Sequence, residues 1–282
     1  MKLIDGKIVA EVIREEIKLE TARLKELGIT PKLNVLLAGD DHASLVYARA
    51  KEKSCAGLGI DFELITKPAS VPLEELLQLV KAWNSDCHIH GIMIELPLPE
   101  SIDKNILLEA IDPQKDVDGV TAINRGYLMN KKQGLYPATP QSCIEILLRH
   151  GIEISGKSVV LVGRGETIGK PLIFMLLNQN ATVTVCHTKT KDLAYHTRQA
   201  DILIAAAGRA KMITDGMVKK GAVVLDAGIN PTESGGICGD VDFAPVAQVA
   251  GAISPVPGGI GSLTTVLVQK NLLQAVKLQG LI

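Results

Sequence analysis

Five short segments carry the residue types that could do chemistry. In Ser44-Leu45-Val46-Tyr47-Ala48-Arg49-Ala50-Lys51, an aromatic ring and an ammonium stand four residues apart. On a helix that spacing puts both on one face, offering a flat stacking surface beside a group able to move a proton. Glu95-Leu96-Pro97-Leu98-Pro99 reads as a rigid strand exit carrying a carboxylate, and Lys115-Asp116-Val117-Asp118-Gly119 places acids on a turn. Ser254-Pro255-Val256-Pro257-Gly258-Gly259-Ile260-Gly261 is a stiff loop that exposes its backbone. Each has a plainer reading as well: a surface helix, a turn-capping acid, a loop.

The fifth segment, Val159-Val160-Leu161-Val162-Gly163-Arg164-Gly165-Glu166-Thr167-Ile168-Gly169, reads as strand, glycine turn and helix start. Glycines there let backbone N–H groups approach a pyrophosphate, and a helix N-terminus favours its charge. The spacing is G-x-G-x-x-x-G, one residue longer than the usual dinucleotide fingerprint, so a tight turn alone would also produce it. The next strand ends at Cys186-His187-Thr188-Lys189, where a dinucleotide fold places the residue that reads the ribose. No acid stands there to accept from a 2′-hydroxyl, whereas Arg164 could pair with a 2′-phosphate. The expectation is NADP, with NAD the alternative. His187 reads as a strand-end residue of the cofactor loop more readily than as a general base. His88 and His90 near Cys87 resemble a pair of metal ligands, but no third and fourth ligand follow at suitable spacing. No metal is expected.

The elements that must hold these residues alternate along the chain. A helical pattern over about Val9–Leu27 ends at Gly28, and a buried apolar run over Lys32–Ala38 stops at Gly39-Asp40-Asp41. A helix carrying Tyr47 and Lys51 follows, then a strand over Asp61–Thr66, a helix over Leu73–Trp83 and a strand over Ile89–Leu96. This order argues for a mostly parallel sheet covered by helices. After a Pro/Gly-rich stretch at Gly134–Pro140 and one more helix, the alternation resumes. Strands are expected at Val159–Val162, Thr182–Cys186, Ile202–Ala206 and Val223–Asp226, and a closing helix at Leu263–Leu278. The fold class is therefore α/β and two-lobed: an N-terminal α/β substrate domain and a C-terminal Rossmann-type domain. The boundaries drawn are 1–140 and 141–262, with the helix of about 263–282 returning to the first domain. A chain of 282 residues exceeds what one core usually serves.

A formal net charge of −1 gives no attraction to nucleic acid or an anionic membrane, and 3% aromatic residues leave little for base stacking. No apolar run is long enough to span a bilayer, and Met1–Lys7 lacks the apolar core of a signal peptide. The five cysteines (Cys55, Cys87, Cys143, Cys186, Cys238) contain no C-x-x-C pair, which suits reduced thiols in the cytoplasm.

Taken in order, the segments resemble the methylenetetrahydrofolate dehydrogenase/cyclohydrolase (FolD-type) family. That family shows S-x-x-Y-x-x-x-K, Q-L-P-L-P, K-D-V-D-G, P-C-T-P, G-R-S-x-x-V-G-x-P and P-V-P-G-G-V-G-P-M-T. The matches run from Ile4-Asp5-Gly6-Lys7 to Thr264, nearly the whole chain. The resemblance implies NADP-linked oxidation of 5,10-methylenetetrahydrofolate, hydrolysis of the methenyl product to 10-formyltetrahydrofolate, and a homodimer. It implies that Tyr47 stacks on the folate, that Lys51 is the catalytic lysine of the hydrolytic step, and that Asp118 binds the aminopyrimidine edge of the pterin. Pro257, Gly258 and Gly259 would lie on the substrate and nicotinamide side. Gly163, Arg164, Gly165, Thr167, Ile168, Thr188 and Ile229 would bind the cofactor. The sequence departs from the family at Glu95 (family Gln), Gly165 (Ser), Ala138 (Cys), Ser142 after Gln141 (a glycine-containing turn) and Ser262-Leu263 (Pro-Met). Glu95 would favour the ammonium form of Lys51 and so attenuate the hydrolytic step, down to a dehydrogenase acting alone. Outside the family, a shikimate-dehydrogenase-like reductase pairs the same two kinds of lobe but gives no reason for Leu-Pro-Leu-Pro or Pro-Val-Pro-Gly-Gly.

Overall fold

The computed structural model describes residues 1–233 and 235–282, without the side chains of His42 and Ala43. Two compact units divide the chain: Met1–Val12 with Pro137–Leu267, and Ile13–Tyr136 with Val268–Ile282. Strand β1 (Lys2–Leu3) comes first, then helix α1 (Gly6–Glu26). Asp5 Oδ1 accepts from Lys7 N at 2.7 Å, so the helix starts three residues before its apolar periodicity becomes visible. It ends at Glu26, and Gly28 in the turn that follows has a φ of +79°, which suits a residue without a side chain.

The unit centred on Ile13–Tyr136 contains β2 (Lys32–Ala38), α2 (His42–Gly57), β3 (Asp61–Lys67), α3 (Leu73–Ser85), β4 (Gly91–Ile94), α4 (Lys104–Glu109) and α5 (Ala122–Met129). Its three strands pair in parallel in the order β3-β2-β4. Leu36, Ile92 and Ile94 meet Leu76, Val80 and Trp83 of α3 in the core. The strand expected over Ile89–Leu96 is shorter, although Glu95 N still donates to Leu36 O at 2.8 Å.

The other unit continues with α6 (Ala138–Arg149), β5 (Ser158–Val162), α7 (Gly169–Asn178), β6 (Thr182–Cys186), α8 (Leu193–Thr197), β7 (Ile202–Ala205) and β8 (Val223–Asp226). Then come β9 (Asn230–Pro231), β10 (Ile237–Cys238), α9 (Phe243–Val249), β11 (Ala252–Ile253) and α10 (Gly261–Leu278). Its sheet has the order β1-β11-β8-β7-β5-β6, with every pair parallel. The chain runs from β5 outward to β6, then back across β5 to β7. That reversal is where open α/β sheets bind ligands.

The division does not fall at one point near residue 140. Residues 1–12, expected with the substrate domain, fall in the unit of the six-stranded sheet, where β1 pairs with β11. Residues from Val268 onward lie in the unit of β2–β4. There Asn271 Nδ2 donates to Val117 O (2.7 Å) and Tyr136 O (2.8 Å), and Gln279 Nε2 to His90 O (2.9 Å). Gly91 admits this helix: a Cβ there would stand 2.6 Å from Leu272 and Val117 side-chain carbons. No helix among the described residues is long and apolar enough to cross a membrane.

Candidate active site

Helix α2 carries Tyr47 and Lys51 and is pinned near both ends. At its start Asp41 accepts from Ser44 N (2.7 Å) and Ser44 Oγ (2.6 Å), and Ser44 Oγ lies 3.2 Å from Leu96 O, just past β4. Near its end Gln269 Nε2 donates to Ser54 Oγ (2.9 Å) and Cys55 Sγ (3.4 Å). Burial pushes the Cys55 thiol up to about 11, so it remains a thiol. Held this way, Lys51 Nζ donates to Glu95 Oε1 at 2.6 Å, with the two side chains only 13% and 8% exposed. Tyr47 is 60% exposed, leaving its ring open.

The turn after α4 sorts its charged residues into different tasks. The Lys115 ammonium donates to the carbonyls of Trp83, Asn84 and Asp86, closing the C-terminus of α3. Asp116, fully buried, accepts from Val120 N, Thr121 N, Thr121 Oγ1 and Asn124 Nδ2, and bridges in parallel to Ile92 beside β4. Asp118, two residues on, has no hydrogen-bond donor among the described residues. Its surface is half-buried, but protein surrounds it on a wider radius, and desolvation pushes its carboxyl up to about 7. The Asp116 and Glu95 charges push the same way; Lys51 and Arg125 pull against them. Lys51, Glu95 and Asp118 thus form one electrostatic cluster.

In the other unit a cavity of about 400 Å³ opens at the carboxyl ends of β5, β6 and β7. Gly163, Arg164 and Gly165 line it from one side, His187 and Thr188 from a second, Ala207 and Arg209 from a third. Gly163 has φ +124°, and a Cβ there would stand 2.0 Å from Ala206 O, so no side chain fits. Gly165 has open space around its Cα. Thr167 and Ile168 sit on the turn into α7 outside the cavity lining, with Ile168 O accepting from Leu172 N. His187 belongs to a turn: Nδ1 accepts from Lys189 N at 3.2 Å, and its own N donates to Thr190 Oγ1 at 2.8 Å.

Two further buried carboxylates fix this rim. Asp240 accepts from Ala207 N, Gly208 N, Arg209 N and Asn230 Nδ2. Asp226, at the end of β8, accepts from Gly228 N, Asp240 N and Val241 N, and its own N donates to Ser254 Oγ. Burial pushes the Asp226 carboxyl up to about 6. Ser254 opens the loop bearing Pro257, Gly258 and Gly259, which meets the start of α1, where Gly6 N donates to Gly258 O at 2.9 Å. Ile229 is 59% exposed in the segment after β8. Sequence reading missed Lys115, Asp116, Asp226 and Asp240 as scaffold. The glycines flanking the last two were the available signal: a Cβ on Gly239 would lie 1.8 Å from Asp226 Oδ2, and one on Gly228 2.3 Å from Asp240.

The histidines do not form the pair their spacing suggested. His90 is buried and its Nδ1 accepts from Lys32 N at 3.1 Å, while His88 stands with Asp86 and Cys87 on an exposed turn.

Two family models match, one described as the tetrahydrofolate dehydrogenase/cyclohydrolase catalytic domain over residues 4–118, the other as the NAD(P)-binding domain of the same name over 137–280. The chain belongs to the tetrahydrofolate dehydrogenase/cyclohydrolase family. Within that family it is 62% identical over 278 residues to the bifunctional protein FolD of Pelotomaculum thermopropionicum, covering 99% of this chain and 98% of that one. The bifunctional FolD enzyme of Campylobacter jejuni superposes with a TM-score of 0.97 at 42% identity, covering 99% of each chain. The Trypanosoma brucei methylenetetrahydrofolate dehydrogenase-cyclohydrolase, solved with NADP cofactor and inhibitor, superposes at 0.93 and 36% identity, covering 99% of this chain and 98% of that one. The family's NAD(P)-binding domain includes the glycine loop.

Proposed function

We propose that this chain oxidises 5,10-methylenetetrahydrofolate to 5,10-methenyltetrahydrofolate with NADP and hydrolyses the product to 10-formyltetrahydrofolate. The observation that carries the folate assignment is Asp118. A carboxylate without an internal donor, desolvated and beside an ammonium, suits a ligand bringing paired N–H donors. The 2-amino and ring N–H groups of a reduced pterin are such a pair. Tyr47 offers its exposed ring as a stacking face, and Lys51, turned toward Glu95, supplies the proton transfers of the hydrolytic step. Pro257, Gly258 and Gly259 present backbone on the nicotinamide side of the same reading.

The cavity beside Gly163 fits NADP by its chemistry. Gly163 admits close backbone approach, Arg164 is a free cation, Thr188 adds a hydroxyl, and no Asp or Glu lines the space. A carboxylate would repel a 2′-phosphate, so NAD is the weaker alternative. Gly165, Thr167 and Ile168 shape the turn, and Ile229 offers an apolar surface. The bound cofactor supplies the hydride acceptor; the chain binds it, orients it and excludes water. The Trypanosoma relative's NADP complex supports this choice. The ion pair of Lys51 with Glu95 favours a second emphasis within the reading, a fast dehydrogenase with a slower cyclohydrolase. A homodimer, as the family resemblance implies, and a cytoplasmic location, consistent with the unpaired cysteines, complete it.

The deciding experiment assays the two steps separately, following reduction of NADP and of NAD with methylenetetrahydrofolate, then loss of the methenyl chromophore. Turnover in both steps with NADP preferred is expected. Absence of cofactor reduction would refute the proposal.

A further inference from the structure

The cavity beside Gly163 is lined by two arginines, Arg164 on the turn after β5 and Arg209 on the turn after β7, and these strands are neighbours in the sheet. Neither guanidinium has a hydrogen-bond or ion-pair partner among the described residues. Arg23, Arg49 and Arg149, by contrast, each pair with a glutamate on their own helix. No Asp or Glu lines the cavity. The main chain beneath Arg209 is firmly held: the N–H groups of Ala207, Gly208 and Arg209 all donate to the fully buried Asp240, at 2.6–2.9 Å. A rigid base thus carries an unpartnered cation beside a second one, in a cavity whose lining holds no acidic side chain. Such an arrangement suits a dianion.

We propose that Arg209 is a specificity-determining residue that joins Arg164 in clamping the 2′-phosphate of NADP. The inference rests on the reading of this unit as the NADP site and goes beyond it, since the glycine loop and strand end alone identify only Arg164 and Thr188. A phosphate monoester carries about −1.5 to −2 charges near neutral pH, which two guanidiniums match and one does not. Arginine is suited to the task because its planar fork meets two phosphate oxygens at once. Asp240 is the positioning residue beneath it.

The test measures binding, without turnover, of NADP, NAD, adenosine 2′,5′-bisphosphate and adenosine 5′-monophosphate by calorimetry in phosphate-free buffer. Wild type, Arg209→Gln, Arg209→Lys and Arg164→Ala are compared. Arg209→Gln is expected to weaken NADP and the 2′,5′-bisphosphate about ten- to hundredfold, the loss of a charged hydrogen bond. NAD and the 5′-monophosphate should change less than about twofold, and Arg209→Lys should fall between. Unchanged melting temperatures would show that the exposed substitution leaves the fold intact. An equal loss for all four ligands would mean that Arg209 stacks on adenine or shapes the loop, and would overturn the inference. No loss for NADP would overturn it as well. Failure of the underlying reading looks different: wild type itself would bind neither dinucleotide.

Discussion

Replacing Glu95 by Gln tests how this site divides its two steps. Lys51 Nζ and Glu95 Oε1 are 2.6 Å apart, with side chains 13% and 8% exposed, so solvent screens the pair poorly. A hydrogen bond to a charged partner contributes about 1.5–3 kcal/mol and a neutral one about 0.5–1.5. Exchanging carboxylate for amide keeps an acceptor for Lys51 Nζ but removes its counter-charge, which loosens the hold on that side chain by about 1–2 kcal/mol, or about 5- to 30-fold. The cyclohydrolase rate of Glu95→Gln is expected to rise by about that factor. Hydride transfer takes no proton from Lys51 and should stay within about twofold. The assay follows methenyl loss and NADPH formation separately across pH, with a melting curve for each protein. If the hydrolytic rate stays the same or falls, or if both steps change together, Glu95 does not set the division between them.

Asp118→Asn is expected to weaken folate binding and to remove its pH dependence. A carboxyl pushed up to about 7 accepts from pterin N–H donors only above that pH, so the wild-type Kd should rise as pH falls below 7. The same raised value favours the neutral form in the folded state. Its stabilising contribution is complete below about 4 and is lost as pH rises through about 7, so Asp118→Asn should melt higher than wild type at pH 8 but not at pH 4. Gly239→Ala forces a Cβ against Asp226 Oδ2 and should cost about 1–3 kcal/mol with weaker cofactor binding, whereas Gly165→Ala, in open space, should leave the melting temperature unchanged. Thermal melts and cofactor titration check both.

The elements most legible in the sequence were those whose burial is local. β2, β5, β7 and β8 are mostly apolar runs cut by glycine or a charged residue, as parallel strands covered on both faces are, and β6 shows the Thr/Val alternation of a sheet-edge strand. β1 and β11 were not legible: each has two residues, too few for periodicity, and they pair across about 250 positions. That pairing is what moves residues 1–12 into the unit with the glycine loop. Within the site, the four-residue spacing of Tyr47 and Lys51 is readable as one helix face. The contact between Lys51 and Glu95 spans 44 residues and depends on Ser44 meeting Leu96, which no spacing announces. The scaffold acids were hidden for a related reason. A buried aspartate is recognised by the N–H groups around it, and those come from backbone that any residue supplies.

The contrast between Asp116 and Asp118 shows how one residue type takes opposite tasks two positions apart. Asp116 has four internal donors, and its acceptor capacity is spent on closing the turn onto α5. Asp118 faces the same charged neighbourhood with no donor among the described residues, so ionising it is unfavourable until a ligand brings N–H groups. A ligand that brings them stabilises the carboxylate, and the energy gained is available only to a molecule with donors at that spacing. Asp226 and Asp240 repeat the first pattern beside the cavity at Gly163: their carboxylates are filled by internal donors, most of them backbone amides, while Arg164 and Arg209 have no partner among the described residues. In both units, then, the buried acids that hold structure are filled from within, and Asp118, which has no donor among the described residues, is the acid the proposed function turns toward the substrate. A cavity lined by two arginines and no acid suits a phosphate, and an acid without a donor of its own suits a donor-rich edge. The sorting lies in the backbone around each aspartate, and that is why composition and charge alone could not distinguish the folate side from the cofactor side.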